Sequence, residues 1–205
     1  MHLELLAEEA SLALVLDKIL PKMIPQEITF KIHDFRGKEN LLKNLLNRLK
    51  AYKTMIENGY DCKIIVLIDE DREDCNLLKN KLETLAHNAG LITKTSAKNN
   101  QKFQVLNRII IEELEAWFFG DINAICQAYP RISPNLINQK SFREPDKIKG
   151  GTWEALERVL KTAGYHQGGL EKYKAALEIS AHMNPTINQS KSFQVFYEGL
   201  LAIIK

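Results

Sequence analysis

The sequence predicts an α/β protein: a parallel sheet flanked by helices, followed by a mostly helical C-terminal part. Three observations carry this expectation. Short apolar or β-branched runs alternate with amphipathic helical patterns through the first hundred residues, as βαβ units require. The third run, ending at Ile68, is apolar without alternation, the pattern of a strand covered on both faces. Beyond Gly120 the extended runs cease and helical spacing takes over.

Residues 3–7 form a short apolar run ended by Glu8 and Glu9. Leu12, Val15, Leu16, Ile19 and Leu20 then follow at helical spacing until Pro21 stops the helix. Residues 28–35 alternate apolar and polar, a second strand. After Arg36-Gly37-Lys38, the positions Leu41, Leu42, Leu45, Leu46, Leu49, Tyr52 and Ile56 mark one face of a long helix. The third strand, 63–68, runs into the acidic string 69–74, and Leu77, Leu78, Leu82, Leu85 and Ala89 mark a helix that Gly90 caps. A fourth extended piece is expected at 91–95 and a polar loop at 96–102. Residues 103–111 read either as a strand or as the start of a helix, because a short apolar run does not decide between them. Pro130, Pro134 and Pro145 break an irregular middle, and helices are expected near 152–163, 170–181 and 190–204. With no Gly/Ser linker, an α/β core over 1–119 and a helical subdomain over 120–205 are expected to pack as one body.

Composition narrows the classes. The chain has 205 residues, 45% hydrophobic and 26% charged, which fits neither a disordered chain nor a disulfide scaffold. The longest apolar runs fall far short of the ~20 residues of a spanning helix. The opening residues carry acids where a signal peptide needs apolar ones. A cytoplasmic protein without membrane contact is the expectation. Net charge is +2, with +3 from residue 136 onward and −1 before it, so any nucleic-acid contact must be local. Cys62, Cys75 and Cys126 are too widely spaced for a zinc site or a disulfide framework and read as reduced thiols.

Functional groups of an open parallel sheet gather at the carboxyl ends of its strands. In a 2-1-3-4 winding order, the tips carrying Glu8-Glu9 and Asp69-Glu70-Asp71 are neighbours. Extended backbone would turn Asp69 and Asp71 the same way. Crowded carboxylates repel unless a divalent cation neutralises them, and Mg²⁺ (or Mn²⁺) is commonly held by one or two carboxylates plus substrate phosphate oxygens. Glu8 would then be a ligand or a general base or acid. The other reading of 69–74, Asp74 included, is a solvated acidic turn at a helix N-terminus, where the dipole favours acids. Lys38, behind Gly37 at a helix start, could aim its ammonium at a phosphate. His33 is expected to support its strand. Glu112 and Glu115, three apart, would share a helical face as a second acidic arm or as a solvated one. Arg108, Arg143 and Lys149 are candidate phosphate contacts, while Trp117, Phe118, Phe119 and Trp153 are expected in the core.

The strings LLAEEAS, HDFRGKENLL, VLIDEDREDC, NRIIIEELEAWFFGD, FREPDKIKGGTWEALERVL and SKSFQVF together resemble domain-of-unknown-function family 4276 almost end to end. That family is grouped with the Toprim-like superfamily, which includes topoisomerases, primases and the overcoming-lysogenisation-defect nucleases. The resemblance implies a Toprim-like (Rossmann-like) sheet. It places the Toprim glutamate on Glu8, with Glu9 where many Toprim domains have glycine, and the Asp-x-Asp pair on Asp69 and Asp71. It implies Mg²⁺-dependent cleavage or transfer of phosphodiesters. It also implies a partner ATPase of the ABC or structural-maintenance type in anti-phage defence. The chain has no Walker motif of its own. The leading expectation is therefore a Mg²⁺-dependent nuclease acting on nucleic acid as the effector of such a system. The alternatives are a non-catalytic regulatory subunit docked on the ATPase, or a Mg²⁺-dependent phosphohydrolase of small nucleotides.

Overall fold

A computed structural model describes residues 1–205 except Arg72 and Asn100, together with the backbone but not the side chain of Ile137. Four strands, β1 (His2–Ala7), β2 (Thr29–Asp34), β3 (Cys62–Asp69) and β4 (Val105–Ile110), form one all-parallel sheet in the order β2-β1-β3-β4. The register sets Ala7 beside both Asp34 and Leu67, and Asp69 beside Ile110, so the carboxyl ends of all four strands align.

Alternation along the strands sorts two apolar layers. Leu6, Ile64, Val66 and Ile68 face α2 (Lys38–Glu57) and α3 (Cys75–Asn88), against Leu41, Leu45, Leu49, Leu78 and Leu82. Leu3, Leu5, Ala7, Ile65, Leu67, Leu106 and Ile110 face α1 (Ala10–Ile19) and the helices of the C-terminal half. These are α4 (Glu115–Phe119), α5 (Ile122–Ala128), α6 (Thr152–Thr162), α7 (Lys172–His182) and α8 (Lys191–Ile203). Each fully buried Leu or Ile contributes about 1.5–3 kcal/mol of burial free energy. One continuous apolar layer therefore ties the sheet to the helices that follow it.

Two of these packings position the functional region. Helix α7 lies along α1, immediately after the β1 tip. Helix α8 packs on β4, where Arg108 donates from Nε to the Val195 carbonyl at 3.1 Å. A Cβ at Gly199 would fall 2.6 Å from the Arg108 guanidinium, so any larger residue there would have to displace that side chain. Arg108 is thus a docking residue rather than a free phosphate contact. The start of α8 is fixed by Asp146, which accepts from the Ser190 hydroxyl at 2.9 Å, the Ser192 hydroxyl at 2.6 Å and the Lys191 amide at 2.5 Å.

Several expectations change. Residues 91–95 make only a single bridge, Thr93 to Val105, and the fourth strand is β4. The 103–111 ambiguity resolves to strand because β3 is there to pair with it. Trp117, Phe118 and Phe119 are core, but Trp153 is half-buried beneath the Lys172 ammonium, 5.5 Å from its ring centre. His33 does support its strand, bonding Glu4 at 2.5 Å, where Tyr52 also donates at 3.0 Å. The three cysteines are free thiols.

Candidate active site at the strand tips

The tips of β1 and β3 bring Glu8 and Asp69 into direct register. The Asp69 amide donates to Glu8 Oε2 at 3.0 Å, and both side chains are buried. The Glu8 carbonyl accepts the Gly37 amide at 2.7 Å, which ties this tip to the turn that starts α2. Burial pushes the Glu8 carboxyl up to about 7, opposed by the Asp69 amide and the Lys38 charge and reinforced by Asp71 and Glu9. Burial also holds the Asp69 carboxyl well above its usual range, with Glu8, Glu9, Glu115 and Asp71 all adding repulsion. Among the described residues, its Oδ1 is buried with no hydrogen-bond partner. A buried acceptor without a donor is costly.

The remaining sequence candidates divide. Glu9 turns aside and accepts the Ser11 hydroxyl. Asp71 does not follow Asp69 along an extended chain, because its φ is 54°, in the left-handed region. It meets Lys38 instead, with Nζ to Oδ2 at 2.7 Å. The same ammonium pairs with Glu73 at 3.1 Å and donates to the Glu70 carbonyl at 3.2 Å. Burial pulls Lys38 down, but its bonds to Asp71 and Glu73 outweigh this and the net shift is upward. Asp74 is the α3 N-cap, accepting the Asn76 and Leu77 amides at 2.8 and 2.9 Å. For this residue, the helix-capping reading holds.

Glu112 and Glu115 do not share a helical face. Glu112 precedes α4 with φ 60° and donates its amide to Glu70 at 3.2 Å, whereas Glu115 opens the helix and is buried. Burial raises Glu115 to about 7, with Lys172 pulling the other way. Glu113 caps α6 through the Thr152 hydroxyl at 2.9 Å and the Trp153 amide at 3.1 Å. Arg143 is exposed in the irregular middle and donates to the Asn138 carbonyl at 3.4 Å.

Residues 7–201 match the family model described as Domain of unknown function (DUF4276). The chain belongs to this family. No curated protein and no solved structure gives a significant match. The DUF4276 span thus covers the β1 and β3 tips, the α4 acids and the whole helical half.

Within this DUF4276 fold, Lys172 is the residue that sequence reasoning missed. The α1–α7 packing sets its ammonium 4.0 Å from Glu115. Burial alone would lower Lys172, but the fields of Glu115, Glu113, Glu9 and Asp69 raise it. The helical period of 170–181 announced α7, but nothing local says which strand tip its N-terminus meets. Among the described residues, no three His, Cys, Asp or Glu side chains converge tightly enough to enclose a metal by themselves. The donor chemistry nevertheless fits a hard divalent cation in part: two adjacent buried carboxylates, one with an orphaned oxygen, matching the protein share of a Mg²⁺ site completed by water and phosphate.

Proposed function

We propose that this chain is a Mg²⁺- or Mn²⁺-dependent Toprim-type phosphodiesterase, a nuclease acting on nucleic acid in the cytoplasm as the effector beside a partner ATPase. The observation that carries the catalytic reading is the Glu8–Asp69 pair, two buried carboxylates on adjacent strand tips with Asp69 Oδ1 unpartnered among the described residues. Such a pair is unfavourable until a cation or protons neutralise it. Clustered perturbed carboxylates are a mark of functional sites.

Glu8 and Asp69 would hold the ion, with Asp71 added when it leaves Lys38. The bound ion would activate water or stabilise the leaving oxygen of a phosphodiester. Lys38 holds Glu70, Asp71 and Glu73 in place, and a substrate phosphate would compete with Asp71 and Glu73 for its ammonium. Lys172 keeps a positive charge beside Glu115 at the rear of the cluster. The ATPase partner rests on the family resemblance, and the absence of a Walker motif assigns nucleotide hydrolysis to that partner.

A second reading, a non-catalytic subunit whose acidic tip docks on the ATPase, is favoured by one observation: Lys38 already neutralises Asp71 and Glu73. The test is Mn²⁺ calorimetry on the wild type and on Asp69→Asn, followed by cleavage assays on DNA, RNA and mononucleotides with the ATPase present. Metal binding and cleavage that both vanish in Asp69→Asn support the nuclease. Binding without polymer cleavage but with mononucleotide hydrolysis moves the substrate to small nucleotides. No binding, with the ATPase complex lost on mutation, establishes the docking reading instead.

A further inference from the structure

A cavity of about 450 Å³ lies against α6, away from the acidic tips, and has no part in the reading above. Its floor is apolar, formed by Ile132, Leu136, Phe142, Ala155 and Val159. Phe142 stacks flat on Phe119 at 4.8 Å, so one wall is a fixed aromatic surface. The rim carries two arginines, Arg131 and Arg158, and no acid lines the cavity among the described residues.

Arg131 is preorganised. Its guanidinium lies 4.1 Å over the Tyr165 ring and donates to the Gly164 carbonyl at 2.9 Å. A Cβ at Gly164 would come within 3.3 Å of that guanidinium, and the φ of 80° there also calls for glycine. Arg158 is exposed on α6. Among the described residues, neither arginine forms an ion pair with a carboxylate. Two uncompensated guanidiniums beside an apolar, partly aromatic floor are complementary to an anion joined to a flat ring.

We propose that this cavity binds a nucleoside phosphate, the phosphate on Arg131 and Arg158 and the base over the Phe142 side of the floor. Its volume lies within the range of small-molecule sites and is far larger than inorganic phosphate needs. A free nucleotide and the 5′-phosphorylated end of a strand present the same chemistry.

The experiment is equilibrium binding by calorimetry in EDTA, which silences any metal site and keeps this result separate from the nuclease reading. The probes are adenosine 5′-diphosphate, inorganic phosphate and a tetranucleotide with or without a 5′-phosphate. Saturable binding of the diphosphate or of the phosphorylated tetranucleotide is expected, weakened at least tenfold in Arg158→Gln and in Arg131→Gln. Lys161→Gln, outside the cavity, should bind as the wild type does, and thermal melts confirm that each variant folds. Tighter binding of the phosphorylated tetranucleotide than of the diphosphate marks a strand end as the source, and the reverse marks a free nucleotide. The assignment is overturned by no saturable binding, by unchanged affinity in Arg158→Gln, or by inorganic phosphate binding as tightly as either nucleotide probe.

Discussion

The amide of Asp69 donates to the Glu8 carboxylate at 3.0 Å, so strand-tip backbone clamps two mutually repelling acids together. Parallel pairing of β1 with β3 enforces the approach, and the energy to hold it comes from the layers beneath.

Removing one of these charges should stabilise the fold. Asp69→Asn takes away a desolvated carboxylate that four neighbouring acids repel. Its melting midpoint at pH 8 should rise by roughly 2–4 °C, the shift that about 1 kcal/mol produces in a domain of this size. The same variant should lose Mn²⁺ binding. A lower midpoint with metal binding retained would show that Asp69 is a structural residue.

The pH dependence follows from the sign of the shifts. Glu8 and Glu115 titrate near 7 in the fold against about 4.5 when unfolded, so the folded state holds their protons more tightly. Their contribution is fully present below about pH 4.5 and is lost as pH rises through 7. Glu115→Gln should therefore flatten the decline in stability between pH 5 and 8, measured by denaturant midpoints. An unchanged slope would mean that Glu115 is not the buried acid described here.

Lys38→Met should free Asp71 and Glu73 from their shared ammonium. If the tips seat a cation, Mn²⁺ affinity should tighten severalfold in this variant while cleavage falls, because the phosphate contact goes with the lysine. Calorimetry and a cleavage assay on the same preparation separate the two effects. Weaker metal binding would place Lys38 as a support that the site needs in order to form.

Asp146→Ala should be among the most damaging changes outside the sheet. The carboxylate accepts from two hydroxyls and the Lys191 amide at the start of α8, and the two serine hydroxyls would lose it in part-buried surroundings. A cost of about 2–3 kcal/mol is expected. Equilibrium urea unfolding would read this as a lower midpoint at unchanged slope.

Much of this arrangement is legible in the sequence. The alternating runs and the uninterrupted apolar third strand gave the parallel sheet, and the 2-1-3-4 order placed Glu8 beside Asp69. The failures are local or long-range. Asp71 was expected to follow the pleat, but one left-handed residue ends the alternation and delivers it to Lys38. Glu112 and Glu115 were paired by a helical period that does not hold, because the helix begins only at Glu115. Lys172 lies more than a hundred residues from either strand tip and reaches the cluster through helix packing, which no periodicity encodes. Trp153 looked like core from its residue type, yet it is a half-buried platform for that same lysine.

The seating of α8 on β4 also bears on how the protein is made. Leu106 and Ile110 leave the ribosome well before Lys191–Ile203, whose Phe193, Phe196 and Leu200 share their apolar layer. Until that helix arrives, one flank of the newborn sheet is open and adhesive. The nascent chain should then depend on chaperone capture most strongly over the interval between translation of β4 and delivery of α8.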